Sequence, residues 1–221
     1  MLKKMLMSLA VTALLALGVQ QASANTVNGT VYFTGSDALA GNATPAQVLA
    51  LPAGDLGATF SLPSTPLFVC AGPGSAQCPG QNTYTLGAFL GFGGASSFTF
   101  FNGHAATDSL AQTLFDFKGT VSVTNGDHFL AGHDDGLTLV IGALTVISEP
   151  APTAFATTDR VYTGPTGNFP FELVYGECCN PPAILDVTLP LISTPEPATL
   201  LLLGLGLGVA GLGFRRRRKL S

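Results

Sequence analysis

Between Asn25 and Thr194 the apolar residues come in short runs rather than at helical spacing. Phe115, Phe117, Val121 and Val123 share one parity while Asp116, Lys118 and Ser122 take the other, the period of two expected of a half-buried strand. Phe169, Phe171, Leu173 and Tyr175 repeat the pattern against Pro170, Glu172 and Val174. Phe129–His133, Leu137–Ile141, Leu144–Ile147 and Ala183–Leu189 read as further strands. Asn125-Gly126-Asp127, Asp134-Asp135-Gly136 and Gly142-Ala143 supply turns between them, with Gly136 expected at positive φ. Thr44-Pro45-Ala46-Gln47 has the capping-box pattern with proline at the first helical position and predicts a short helix through Leu51. Asp108–Leu114 reads as one more helical turn, and Cys70–Asn82 as a loop. Strands at this spacing, punctuated by Gly, Pro, Asn and Asp, predict an all-β fold, an antiparallel β-sandwich over residues 25–193.

The two ends read differently. Lys3 and Lys4 precede an apolar stretch, Met5–Val19, and an A-x-A site at Ala22-Ser23-Ala24. Residues 1–24 are therefore expected to be a secretory signal peptide cut by signal peptidase after Ala24. At the other end, residues 194–221 carry Pro195-Glu196-Pro197, an apolar run over 198–214, and the basic block Arg215, Arg216, Arg217, Arg218, Lys219. As a helix the run would be about 26 Å long, slightly under a hydrocarbon core of about 30 Å. Its five glycines weaken it further as a permanent anchor. Basic flanks stay cytoplasmic, so the expected topology places the C-terminus inside the inner membrane and the body outside. The two prolines stop the helix from extending backwards and leave Glu196 in an extended, accessible bracket.

Removing the ends changes the charge. Between Asn25 and Thr194 stand two basic residues, Lys118 and Arg160, and twelve acidic ones, a formal charge of 2 − 12 = −10. Such a body repels phosphate backbones, which argues against nucleic acid as a partner. The four cysteines, Cys70, Cys78, Cys178 and Cys179, favour disulfides in an exported chain. All three pairings stay open, including a vicinal Cys178–Cys179 bridge.

The tripeptide, the Gly/Leu-rich span and the terminal basic block together resemble the PEP-CTERM sorting signal of exported bacterial proteins. The resemblance implies handling by an exosortase, a membrane cysteine protease-transferase, in a Gram-negative-type bacterium that makes exopolysaccharide. It also implies a transient stay in the inner membrane before arrival at the cell surface or matrix.

In the body, His133-Asp134-Asp135-Gly136 followed by LTLVIGALTVI offers two adjacent carboxylates at a strand end, suited either to a turn or to a hard cation such as Ca²⁺. The stretch resembles the signature of the protective-antigen-type β-sandwich, a group that includes lectin-like domains of yeast flocculins. That resemblance implies a jelly-roll-like body, with Asp134 and Asp135 as calcium ligands and a glycan-contact or adhesion role.

His128 and His133 lie beside strand turns and read as solvated side chains rather than catalytic or metal-binding groups. No G-x-S-x-G elbow occurs and no carboxylate pair is marked as a glycosidase centre. The expectation is a non-enzymatic surface or matrix protein. Its alternatives are a calcium-dependent adhesin or glycan-binding module and a secreted polysaccharide hydrolase.

Overall fold

The computed structural model describes residues 26–63 and 67–191. The expected signal peptide with Ala22 and Ala24, the Pro195–Pro197 motif, the 198–214 span and the 215–219 block lie outside them. Among the described residues no helix is long and apolar enough to cross a membrane.

The elements in chain order are β1 (Val27–Phe33), α1 (Asp37–Ala40), α2 (Pro45–Ala50), β2 (Leu56–Leu62), β3 (Leu67–Ala71), α3 (Leu86–Phe92), β4 (Ser96–Phe100), β5 (Thr113–Val123), β6 (His128–Asp134), β7 (Leu137–Ile141), β8 (Leu144–Glu149), β9 (Ala156–Val161), β10 (Gly167–Glu177) and β11 (Ala183–Val187). They form two antiparallel sheets, one of seven strands in the order β4-β2-β1-β5-β10-β7-β8 and one of four, β3-β11-β6-β9. The fold is the expected all-β, two-sheet architecture.

The alternation read in the sequence decides which side chains fill the space between the sheets. Phe115, Phe117, Leu173 and Tyr175 of the larger sheet meet Val69, Phe129, Ala131, Leu185 and Val187 of the smaller one in a single buried cluster. Each fully buried aromatic or aliphatic side chain there contributes about 1.5–3 kcal/mol from area removed from water. β5 and β10 pair without a break from Gly167↔Val123 to Glu177↔Thr113. Alternation is lost at the start of β5, where Thr113–Phe117 are all buried, because Leu114 and Val174 on the opposite face are covered by Ala43 and Val48. Asp116 is caught under the same cover. Its Oδ2 takes Lys118 Nζ at 2.8 Å, and that ammonium also reaches Glu172 Oε1 across the strand pair at 3.2 Å. Burial still pushes the Asp116 carboxyl above its ordinary range, against the pull of Lys118.

The capping box forms as expected, with Thr44 Oγ1 accepting from the Gln47 amide at 3.1 Å. The turn of helix expected over Asp108–Leu114 is absent. Asp108 Oδ2 instead accepts from the Ala105 amide at 3.1 Å, Gln112 is left-handed at φ 63, and Thr113 and Leu114 open β5 by pairing with Phe33 and Tyr32. Gly136 is not among the residues with positive φ. Its requirement is steric, since a Cβ there would sit 2.2 Å from the Pro150 carbonyl oxygen. α3 escaped detection because it is short and carries Gly87 and Gly91. It is capped by Thr85 Oγ1, which accepts from the Ala88 amide at 3.3 Å.

Of the three possible pairings the structure holds the sequence-local one, Cys70–Cys78 and Cys178–Cys179, with no free cysteine. The first ties the 72–82 loop back to β3, where both sulfurs pack with Ile184.

Steric need and conformational need are separable by mutation. Gly136→Ala is expected to lower stability by about 1–3 kcal/mol through overpacking. Gly54 has open space around it and no positive φ, so Gly54→Ala should be neutral or slightly stabilising. Thermal melts of both variants check this, and equal melting points would count against the close Gly136–Pro150 approach.

Candidate functional site

The Asp134-Asp135 turn lies where β6 ends, beside the end of β10 and the start of β11. In the smaller sheet Asp134 stands opposite Ile184, which in turn stands opposite Cys70. In the larger sheet Tyr175 pairs with Leu137, which brings Glu177, Cys178 and Cys179 to the same end. Two glycines permit the approach of covering segments. A Cβ on Gly176 would meet the Ala40 carbonyl oxygen at 2.2 Å, as one on Gly136 would meet Pro150.

The two aspartates do different things. Asp135 is buried. Its Oδ2 accepts from the Cys178 amide at 2.9 Å, and the Thr153 and Cys179 amides lie near enough to favour its charged form. One carboxylate thus fastens the turn to the residues after β10. Burial holds its carboxyl above the usual range, with the three amides opposing. Asp134 is half-buried. Burial, reinforced by the neighbouring Asp135 charge, pushes it up to about 6.

His133, expected to be solvated, is instead a buried and satisfied interior side chain, because its strand position faces the space between the sheets. A carbonyl can only accept, so Nδ1 donates to the Asp135 carbonyl oxygen at 2.6 Å, and Nε2 lies 3.3 Å from the Thr158 hydroxyl. His128 lies at the far end of β6, exposed and paired with Asp159 at 3.1 Å. The structure therefore separates the two histidines.

Sequence reasoning missed Glu177, Tyr84 and Tyr175, which form the densest polar knot in the described residues. Glu177 is fully buried. Tyr84 donates to its Oε1, and its Oε2 lies 2.8 Å from the Tyr175 hydroxyl. That hydroxyl also receives the Ile184 amide at 3.1 Å and contacts the Asp134 carbonyl oxygen. A phenol has one proton and two lone pairs. The Asp134 carbonyl must take that proton, so the Glu177–Tyr175 bond is complete when Glu177 is a carboxylic acid donating to Tyr175. Burial, against the opposing bond from Tyr84 and with Asp135 and Asp134 nearby, raises Glu177 to about 9. One signal was available in the sequence. Glu177 continues the parity of Phe171, Leu173 and Tyr175 and so occupies a core position.

The atoms that converge most closely as potential metal ligands, within 4.8 Å of one another, are a carboxylate oxygen of Asp135 and the sulfurs of Cys178 and Cys179. With the two sulfurs bonded to each other, this is no cage for a hard cation.

The described residues thus make an antiparallel β-sandwich with an acidic, internally hydrogen-bonded end. The chain joins that body to a sorting segment, since residues 193–218 match the PEP-CTERM protein-sorting motif. No curated protein matches the chain. Among solved structures it is similar to a PA14 sugar-binding domain from an RTX adhesin, at 17% identity over 76% of this chain and 89% of that one, TM-score 0.46. It is also similar to the PA14 domain of the MpAFP antifreeze protein, at 19% identity over 74% and 79%, TM-score 0.48.

A raised carboxyl pKa makes the folded state bind its proton more tightly than the unfolded chain does. The stabilisation from Glu177 is therefore complete below its ordinary value of 4.5 and is lost as pH rises through about 9. Asp134 acts with the same sign up to about 6. The melting temperature should fall between pH 5 and pH 9, and Glu177→Gln should flatten most of that slope. Indistinguishable pH profiles for the two proteins would contradict the buried acid.

Proposed function

We propose that the chain is an exported, non-enzymatic protein of the cell surface or extracellular matrix of a Gram-negative-type bacterium, delivered by its two ends. The observation that carries this reading is the sorting-motif match at residues 193–218. Signal peptidase removes residues 1–24, the 198–214 run holds the chain briefly in the inner membrane, and Arg215–Lys219 keep the C-terminus cytoplasmic. An exosortase-type enzyme then acts near Pro195-Glu196-Pro197. The short, glycine-rich run suits a transient hold better than a permanent one. The body's formal charge of −10 favours solubility outside the cell. A non-enzymatic role is supported by the inward commitment of its most suggestive groups: His133, Asp135 and Glu177 each spend their hydrogen bonds on neighbours within the fold.

Replacing Arg215–Lys219 with neutral residues in the producing cell is expected to leave unprocessed or misoriented precursor, read by mass spectrometry of both termini. Unchanged processing and location would remove the sorting role of the basic block.

A second reading, a calcium-dependent adhesin or glycan-binding module, is favoured by uncompensated charge. Asp134 and Asp135 lie side by side at one end, while Lys118 is engaged with Asp116 and Glu172 and Arg160 with Glu149. Carboxylate oxygens suit a hard cation, and Asp134 with Asp135 would hold it. Calcium held by Asp134 and Asp135 would supply a Lewis-acidic partner for sugar hydroxyls. Melting in calcium and in chelator tests this directly. A rise in melting temperature with calcium that Asp134→Asn abolishes is expected, and superimposable curves would eliminate the ion.

A further inference from the structure

From Leu56 to Thr107 the chain has 107 − 56 + 1 = 52 consecutive residues without a single Asp, Glu, Lys or Arg. In a body with twelve acidic residues elsewhere, β2, β3, α3 and β4 are thus free of formal charge. β4 is the edge strand at this flank of the seven-stranded sheet, bonded to β2 alone, and all five of its residues are exposed.

The other sheet edges are guarded. β8 carries Glu149, bridged to Arg160 on β9, β9 also carries Asp159, and α3 packs against β3. Charges and covers of this kind are how edges avoid strand addition. β4 has neither. It is instead short and bulged, its register slipping between Thr59 and Ser61 of β2, which also discourages pairing with a further strand. The backbone edge is blunted while the side chains are left bare.

Those side chains include Phe98 at 39% and Phe100 at 37% exposure. Phe100 stands opposite the fully buried Ala58, so the core-side face of the sheet continues into solvent through two phenyl rings. The rings are parallel to within 2°, with centroids 6.0 Å apart. Their backbone is held at both ends by non-glycine residues in the left-handed region, Ser97 at φ 57 and Asn102 at φ 52. Such conformations persist only where the surroundings enforce them. Here the Asn102 side-chain nitrogen binds the carbonyls of Ala53, Gly54 and Leu56 at 3.3, 3.1 and 2.9 Å, and the Phe101 amide binds the Gly57 carbonyl at 2.9 Å. The backbone that carries the two rings is thus fixed before any ligand arrives, which lowers the ordering cost of binding.

We propose that Phe98 and Phe100 on β4 form a binding platform for an uncharged polysaccharide, an inference that deepens the surface-and-matrix reading above and rests on it. Pyranose rings present C–H faces that lie against aromatic rings and hydroxyls that pair with neutral hydrogen-bonding groups. β4 supplies the second need through its free backbone edge. The acidic body repels polyanions, and the 56–107 stretch contains no lysine or arginine to attract them. Uronate-bearing and sulfated polymers are therefore excluded. The platform is separate from the Asp134–Asp135 turn, because β4 stands four strands from β10 in the sheet order, roughly 19 Å at about 4.8 Å per strand.

The test is co-sedimentation of the full protein, in mild detergent, with cellulose, and affinity electrophoresis in dextran and in polygalacturonate. Expected is retention by at least one neutral glucan, none by polygalacturonate, and an at least tenfold loss in the Phe98→Ala/Phe100→Ala double variant with its melting temperature unchanged. Phe98→Tyr/Phe100→Tyr should restore binding, and chelator or Asp134→Asn should leave it intact. Binding that survives the double alanine variant but disappears with chelator moves the glycan to the aspartate turn and overturns the platform while leaving a glycan role standing. Failure of the wild type on every neutral glycan overturns it too, as does a dimer that the double variant dissociates, which would make the patch a self-association surface. Correct processing of the double variant in cells keeps any of these failures apart from a failure of the sorting reading.

Discussion

The pairing of β5 with β10 sets the terms for the rest of the sandwich. It runs from Gly167↔Val123 to Glu177↔Thr113 without a slip. A one-residue shift would turn Phe115, Phe117, Phe171, Leu173 and Tyr175 out of the core. Because the strands are long, their register also fixes what happens at their ends: where β10 stops, Glu177 and the vicinal cysteines lie against the Asp134–Asp135 turn. The covering segments at Ala40–Ala43 and Pro150 approach that end only because Gly176 and Gly136 offer no Cβ. Core packing and site geometry are therefore one constraint seen at two places.

At that end the aspartate pair is split in function. Asp135 faces inward and holds the Cys178 backbone amide, whereas Asp134 is the more open of the two. A carboxylate with an amide partner is a structural fastener, and losing it would strand a buried N–H group at about 1–3 kcal/mol. The protonated Glu177 completes the arrangement by freeing the single Tyr175 proton for the Asp134 carbonyl. The turn that could serve a ligand is consequently positioned by a neutral network beneath it, and its shape does not depend on an ion pair.

Much of this was legible in the sequence where alternation was undisturbed. β5, β6, β7, β8, β10 and β11 are marked by period-two runs and by turns with Gly, Asn or Asp. The first strand was hidden by Gly29, which occupies a core-facing position because the Phe60 ring fills the space a Cβ would need. β4 was hidden because none of its residues is buried, so it has no two-sided environment to create alternation. β9, ATTDRV, is too polar to announce itself. Asp108–Leu114 was misread because a single acidic residue beside small ones serves a tight turn as readily as a helix start, and only the partner strands decide. The acidic end was half visible. Asp134-Asp135-Gly136 stood out, but Glu177 was passed over because a carboxyl on the apolar parity of a strand looks like a break in the pattern rather than a buried acid.

Glu177 carries its proton into the interior and keeps it there in neutral water. Any fluctuation that lets solvent reach this end of the sandwich therefore discharges an acid into the bath, and reclosing requires one to be recaptured. Breathing at the tip is coupled to pH. Opening of this end is therefore disfavoured in mildly acidic surroundings and becomes easier as pH rises towards about 9.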